Sequence, residues 1–465
     1  MRIANHHVSR ITTFLLLVEF AIAFTSVYLG AMIRFFDSRH PYSVPYSDNF
    51  FMSAIAFAIA VIFSMSALGM YQISYREGLR NTFLRLMPSF ALSFALLTLT
   101  FYMVPDLYFG RGILGLVMII AAGLILTIRV TIFKFSEVGL LKSRIVFLGC
   151  GALANECRQL LVQNISYHQY DLVGFIAMDG EQCLVPTSEL LPKNTDLASV
   201  LRRNNVHEIV VSVQNRRGGQ FPLQELLDCK LHGIKVIDAA AFFEREACQI
   251  RVESLQPGWL VFGDGFNQSF LRKFGKQTFD LLVSILIFVL TLPIMLVTAV
   301  LVYLEDRGPI LYRQERVGKN GATYMVLKFR SMGKEAEKSG TPQWASNNDP
   351  RVTKVGKVIR KLRIDELPQI INVLKGEMSF VGPRPERPFF VEQLCKEVPF
   401  YNMRHSIKPG ITGMAQVRYA YGASVEDSVQ KLQYDLYYVK NNSLFLDVLI
   451  LIETVQVVLL GKGAR

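Results

Sequence analysis

Five long apolar runs limit what this chain can fold into more than any other feature. Four precede residue 135, at Ile11 to Ile33, Phe50 to Met70, Leu86 to Val104 and Gly112 to Phe133, and the fifth covers Leu281 to Leu304, 24 residues without a charge. Each approaches the roughly 20 residues that a helix needs to cross hydrocarbon, so a membrane protein is expected. The first run is too long for the apolar core of a signal peptide, and no small-residue cleavage site precedes a soluble domain. It therefore reads as a retained helix. Basic residues set the expected orientation: Arg2, Arg10, Arg76, Arg80, Arg85, Lys134, Lys142 and Arg144 fall on one side, against Arg39 and Arg111 on the other. Because Lys and Arg accumulate in cytoplasmic loops, the N-terminus and everything after residue 134 are expected in the cytoplasm.

The remainder is ordinary mixed sequence. With 465 residues and 51% apolar side chains, the chain is long enough for several domains and too apolar to be disordered or fibrous. Its net charge is +12, and residues 304 to 443 alone hold 23 basic against 15 acidic side chains. A basic region beside a membrane suggests anionic lipid or a phosphorylated ligand; nucleic acid stays open on charge alone. The six cysteines (Cys150, Cys157, Cys183, Cys229, Cys248 and Cys395) show neither C-x-x-C nor His at metal spacing. They read as reduced thiols, with no zinc site and no disulfide framework.

From Arg144 the pattern becomes β-α alternation. Strands are expected at 144–149, 172–178, 208–213 and 234–237, and helices at 152–162 and 222–231, which together describe a small doubly wound domain. Its first turn, Gly149-Cys150-Gly151-Ala152-Leu153-Ala154, sits between strand and helix as a dinucleotide turn requires. Gly149 and Gly151 are thus a candidate nucleotide turn, with Asp179 the best acid to hold a ribose, although it lies farther downstream than usual. The bland reading is a Rossmann-like module that keeps a tight turn without a ligand. Tyr324 and Lys328 have the Tyr-x-x-x-Lys spacing of nicotinamide-dependent sugar enzymes, but their run alternates like a strand, so the pair presents no helical face.

The chemistry concentrates in three stretches: Lys328-Phe-Arg-Ser-Met332, then Arg360-Lys-Leu-Arg-Ile-Asp-Glu-Leu-Pro-Gln369, then Asn372-Val-Leu-Lys-Gly-Glu-Met-Ser followed by Gly382-Pro-Arg-Pro-Glu386. Alone, Asp365 can be explained as a helix N-cap, with Glu366 in the first turn and Gly376 as the stop. In company with Lys328, Arg330, Arg360, Lys361, Arg363 and Arg384 it is expected to stay ionised in a setting that also attracts phosphate. An ionised carboxylate can attack phosphorus if the leaving diphosphate is neutralised, and Glu366 beside it is a natural Mg²⁺ ligand. Two prolines make 382–386 a rigid extended mount for Arg384.

In this order, and after an apolar segment containing a proline, these motifs resemble the bacterial sugar transferases known as monotopic phosphoglycosyl transferases, over about residues 270 to 465. The N-terminal half resembles their large branch. The resemblance implies transfer of a sugar-1-phosphate from a UDP-sugar to undecaprenyl phosphate through a covalent aspartyl intermediate, with release of UMP, at the start of exopolysaccharide, capsule or O-antigen synthesis. It further implies Asp365 as the nucleophile and Glu366 as its Mg²⁺-binding partner. Arg360 and Arg384 match phosphate- or nucleotide-contacting arginines, and Lys328 and Arg330 match a basic strand. The expected architecture is an N-terminal four-helix transmembrane bundle (1–137), a Rossmann-like α/β cytoplasmic domain (138–245), a connector (246–275) and a mainly helical catalytic domain (276–465). Within the last, a re-entrant membrane hairpin (278–304) is expected to turn at Pro293, where the small members carry Ser-Pro and this chain has Leu292-Pro293. The expected partners are a UDP-sugar, undecaprenyl phosphate and lipid of the bacterial inner membrane, not nucleic acid; a homodimer stays open. The alternatives are an NAD-dependent nucleotide-sugar dehydratase or epimerase, and a non-catalytic scaffold of polysaccharide assembly.

Overall fold

The computed structural model describes residues 2–3, 6–7, 10–35, 49–71, 78–137, 142–163, 170–178, 180–192, 201, 203–213, 221–252, 270–333, 351–419, 422 and 424–459. Two compact units divide between Cys248 and Gln249.

The first unit begins with four apolar helices: α1 (Arg10–Arg34), α2 (Phe50–Ala67), α3 (Gly78–Met103) and α4 (Arg111–Glu137). With the long helix of the second unit, five among the described residues are long and apolar enough to cross a membrane. Small residues at helical spacing let the first four approach closely: Ala23, Val27 and Ala31 of α1, Ala54, Ala58 and Val61 of α2, and Val117 and Ala121 of α4 are fully buried. Inside this apolar set, among the described residues, Glu19 pairs with Arg129. Arg129 Nε and Nη2 donate to the two oxygens of Glu19 at 2.6 and 3.0 Å, Nη1 donates to the Met70 carbonyl at 3.0 Å, and the Tyr71 hydroxyl donates to Glu19 at 2.7 Å. Charges at this depth are costly unless paired, and this pair fills most of its hydrogen-bonding capacity from α1, α4 and the end of α2.

The same unit holds a four-stranded parallel sheet of order β2-β1-β3-β4, built from β1 (Ser143–Leu148), β2 (Tyr170–Ile176), β3 (Glu208–Val211) and β4 (Lys235–Asp238). Along β1, Ile145 and Phe147 pack with α5 (Ala152–Gln163) and α7 (Ala239–Ala247), while Val146 and Leu148 face the cluster of Leu226 and Cys229 on α6 (Leu223–Leu231). Both faces are covered, which is why these strands read as continuous apolar runs. The expected strands and helices form within a few residues of their expected ends. Helix α7 is an addition in a stretch assigned no element.

At the Gly-rich turn, Gly149 adopts φ +112°, a conformation that favours glycine. Glu181 turns back over it: its carboxylate accepts from Cys150 N at 2.9 Å, and a Cβ on Gly151 would lie 2.6 Å from that carboxylate. Asp179 lies outside the described residues. One cysteine expectation is corrected here, because Cys150 and Cys183 form a disulfide while Cys157, Cys229, Cys248 and Cys395 remain thiols. The contacts that fold 181–184 onto the turn, including Leu184 N to Cys150 O at 2.8 Å, bring the two sulfurs together across a separation that spacing could not reveal.

The second unit opens with α8 (Phe270–Asp306), which stays helical through Pro293. It is followed by the antiparallel hairpin of β5 (Leu311–Val317) and β6 (Thr323–Phe329), α9 (Lys354–Lys361), α10 (Gln369–Leu374) and α11 (Pro388–Glu397). Two short strands, β7 (Ser379–Val381) and β8 (Gly410–Thr412), pair in parallel, and α12 (Met414–Arg418), α13 (Val425–Asn441) and α14 (Leu444–Leu459) complete the unit. Both ends of α8 are bonded into it. Near the start, Lys276 pairs with Asp447 at 2.8 Å and Asp280 accepts from Ser379 Oγ and Phe380 N; near the end, Val302 packs on Phe329 and Ile359, and Asp306 pairs with Arg330. The surface between is apolar and exposed, as at Leu282, Leu286, Val289 and Leu290.

The apolar stretch 444–460, with Asp447 and Glu453 six residues apart, reads in sequence as an amphipathic, interfacial helix; in α14 Asp447 is buried against Lys276 and the Tyr438 hydroxyl, and Glu453 pairs with Arg418. The exposed side chains are instead apolar, among them Val448, Val455 and Leu459.

Candidate active site

Asp365 and Glu366 lie in a single 3₁₀ turn, Ile364–Glu366, set between α9 and α10. Arg363 enters this turn with φ 56° and ψ 21°, and Pro368 precedes α10 where its missing N–H costs nothing. The N-cap expectation for Asp365 is therefore not met: Arg363 occupies the cap position of the 3₁₀ turn and Pro368 that of α10, and Asp365 makes no cap bond. Gly376 does stop α10, at φ +80°.

Two cations converge on one oxygen. Lys328 Nζ from β6 and Arg384 Nη2 from the Pro-Arg-Pro segment both lie 3.1 Å from Glu366 Oε1. Strand β6 is held to α10 by Asn372, fully buried, which accepts from Leu327 N at 3.0 Å and donates to Met325 O at 2.8 Å and to Glu377 at 2.7 Å. Arg384 is held twice. Its Nη1 donates to Gln416 Oε1 at 2.7 Å, and Gln416 Nε2 in turn donates to Ile411 O at 3.1 Å. Its main-chain carbonyl accepts from Arg404 Nη2 at 2.8 Å, and the buried Arg404 pairs with the buried Asp435 at 2.8 Å.

The electrostatics divide the two acids. Burial by itself would push Glu366 up, but Lys328, Arg384 and Arg363 outweigh it and hold its carboxyl far below the usual carboxylate range. Asp365 moves the other way, to about 6, because burial and the adjacent Glu366 charge outweigh Lys328, Arg360 and Arg384. The cation ring thus secures the ionised form of Glu366 and not, as the sequence suggests, of Asp365, although Asp365 remains chiefly ionised at neutral pH. Two adjacent carboxylates, one held firmly anionic, are the donor type that Mg²⁺ takes together with phosphate oxygens. No group of three or more His, Cys, Asp or Glu that could hold a metal occurs among the described residues, so the fit is to one or two protein ligands.

Of the six residues singled out from the sequence, Asp365, Glu366, Lys328 and Arg384 meet, and Arg360 acts on Asp365 through its charge from the last turn of α9. Arg330 does not join them: it is buried and paired with Asp306 at the end of α8. Tyr324 and Lys328 lie on β6, as the alternation requires. Gln416, Arg404 and Asp435 were missed. Their partners lie some 20 to 32 residues away in the chain, and no local pattern signals such pairs.

A family model for the bacterial sugar transferases matches residues 271–461, and one for a CoA-binding domain matches residues 66–221. A UDP-N-acetylgalactosamine-undecaprenyl-phosphate N-acetylgalactosaminephosphotransferase from Aeromonas hydrophila is 45% identical over 240 residues, 52% of this chain and 56% of that protein. A UDP-glucose:undecaprenyl-phosphate glucose-1-phosphate transferase from Klebsiella pneumoniae is 35% identical over 281 residues, 58% of each chain. Against these two, the chain spans little more than half the relative's length. An undecaprenyl-phosphate galactose phosphotransferase from Salmonella typhimurium is 30% identical over 357 residues and 71% of each chain. With the motifs assembled on one 3₁₀ turn and a relative matched over this much of its length, the chain belongs to the bacterial sugar transferase family.

Proposed function

We propose that this protein transfers a sugar-1-phosphate from a UDP-sugar to undecaprenyl phosphate and so begins the assembly of a surface polysaccharide. An Asp365 carboxylate oxygen attacks the phosphorus that bears the sugar; the phosphoanhydride bond breaks and UMP leaves with its electron pair. A phosphate oxygen of the lipid then attacks the same phosphorus, the acyl-phosphate bond breaks, and the Asp365 carboxylate is restored. Lys328, Arg384 and Arg360 offset charge on the diphosphate, and the guanidinium groups of the two arginines suit its paired oxygens. Mg²⁺, held by Glu366, would supply further neutralisation of the leaving group.

The observation that carries this reading is the dyad on one 3₁₀ turn: Lys328 and Arg384 bond Glu366, while burial and the adjacent Glu366 charge raise the neighbouring Asp365 carboxyl, whose ionised form is the more nucleophilic for it. Nicotinamide chemistry is disfavoured because Lys328 is a strand residue bonded to Glu366. A scaffold has no need of such a dyad.

The reading includes a catalytic unit on the cytoplasmic face of the bacterial inner membrane and a re-entrant α8 bent at Pro293. Supporting this, both ends of α8 bond into the same unit, and Pro293 removes a backbone donor from the middle of the helix, where a bend is favoured.

The deciding experiment incubates the purified protein with UDP-sugar and undecaprenyl phosphate. Wild type should release UMP without added NAD and acquire, before lipid is added, a phosphosugar mass on the peptide containing Asp365. Asp365→Asn should do neither while melting near wild type, since Asp365 makes no cap bond. Turnover by Asp365→Asn close to wild type would remove the nucleophile from this scheme.

A further inference from the structure

A cleft that includes Glu366 of the dyad extends over side chains to which the chemistry above gives no role. Its lining is chiefly apolar and includes Ile287 of α8, Ile370 of α10, Phe380 of β7 and Val457 of α14, with Gln416 of α12 and Thr454 of α14 among its polar side chains. Arg363 and Glu366 bring charge to the same lining. The cleft thus joins the membrane helix to the dyad.

An apolar wall of this kind gives nothing to a nucleotide or a hexose, which would leave hydroxyls and charges without partners. It suits a ligand whose tail is hydrocarbon and whose head is anionic. Ile287 lies on the same helix as Leu286 and Leu290, which face outward at 59% and 62% exposure. A hydrocarbon chain can therefore pass from the outer surface of α8 into the cleft without crossing water. Val457 and Val458 form the opposite wall, and they lie on the helix whose exposed face is apolar and whose acids are turned inward.

Resting on the transferase reading, we infer that this cleft seats the first isoprenyl units of the lipid acceptor, with its phosphate directed to Arg363 beside the dyad. The nucleotide sugar reaches Asp365 from elsewhere. The two substrates then do not compete for the same walls, and α14 acts as the acceptor-side wall of the site.

The test uses the full-length protein in nanodiscs and measures the two substrates separately. Val457→Trp should raise the KM for undecaprenyl phosphate about tenfold, the factor for displacing roughly two methylenes of chain, and leave the KM for the UDP-sugar within about twofold. A wild-type lipid KM in a folded Val457→Trp overturns the cleft assignment. Should Val457→Trp not fold, a prenyl phosphate carrying a diazirine on its second isoprenyl unit is applied to wild type. Labelling at 287 or at 454–458 supports the proposal; labelling confined to outward positions such as Leu286 and Leu290 overturns it. Wild type that releases UMP but fails the cleft tests keeps the transferase reading, whereas wild type that releases none fails that reading first.

Discussion

Arg404 donates a hydrogen bond to the main-chain carbonyl of Arg384 at 2.8 Å, and so fixes from behind the segment that delivers a guanidinium to Glu366. Arg404 can do this because Asp435 balances its charge in the interior and Tyr401 accepts a further bond. Arg384 is thus placed by a buried ion pair on α13, an element that contributes nothing else to the dyad. Arg404 is a positioning residue.

Arg404→Lys keeps a positive charge for Asp435 but loses the fork that reaches two acceptors at once. We expect UMP release to fall about tenfold, the equivalent of one misplaced hydrogen bond near 1.4 kcal/mol, with a small change in Tm. A lowered Tm with unchanged specific activity would mark the residue as structural only.

The pH profile should show an acid limb near 6 from Asp365. The sign follows from the chemistry: the protonated acid is no nucleophile, so the rate falls as pH drops through that value. Arg360 is among the charges that oppose the rise, so Arg360→Gln should move the limb to higher pH. The measurement is the position of the limb in kcat/KM against pH, which reports the free enzyme, and an unmoved limb would detach Arg360 from Asp365.

Asn372 links α10 to β6 and therefore the dyad to Lys328. Asn372→Leu removes three bonds and leaves Leu327 N and Met325 O buried without partners, at a cost of about 3 kcal/mol. Thermal unfolding in detergent should show the loss. A Tm equal to wild type would mean that the two elements hold together without the amide.

Between the N-terminal helices, Glu19→Leu should destabilise by about 3 to 5 kcal/mol, because Arg129 is left charged and buried. Glu19→Leu with Arg129→Leu should recover most of it, since two apolar side chains need no partner in that setting. Thermal unfolding of the three variants in one detergent checks the cycle; a double variant no better than the single would show that the pair specifies the helix arrangement.

Much was legible in the sequence because it depends on neighbours along the chain. Five helices follow from uninterrupted apolar length. The parallel sheet follows from β-branched runs alternating with helical periods, and the strand carrying Lys328 follows from alternation. The order of basic and acidic motifs was enough to bring Asp365, Glu366, Lys328 and Arg384 to one site. What only the tertiary structure decided depends on distance through space and on burial. It paired Arg330 with Asp306, joined Cys150 to Cys183, turned Asp447 inward to Lys276 and set Arg404 behind Arg384. It also divided two adjacent carboxyls, since a charge's cost depends on how much water remains and which cation is within about 4 Å. Neither quantity is a property of sequence neighbours.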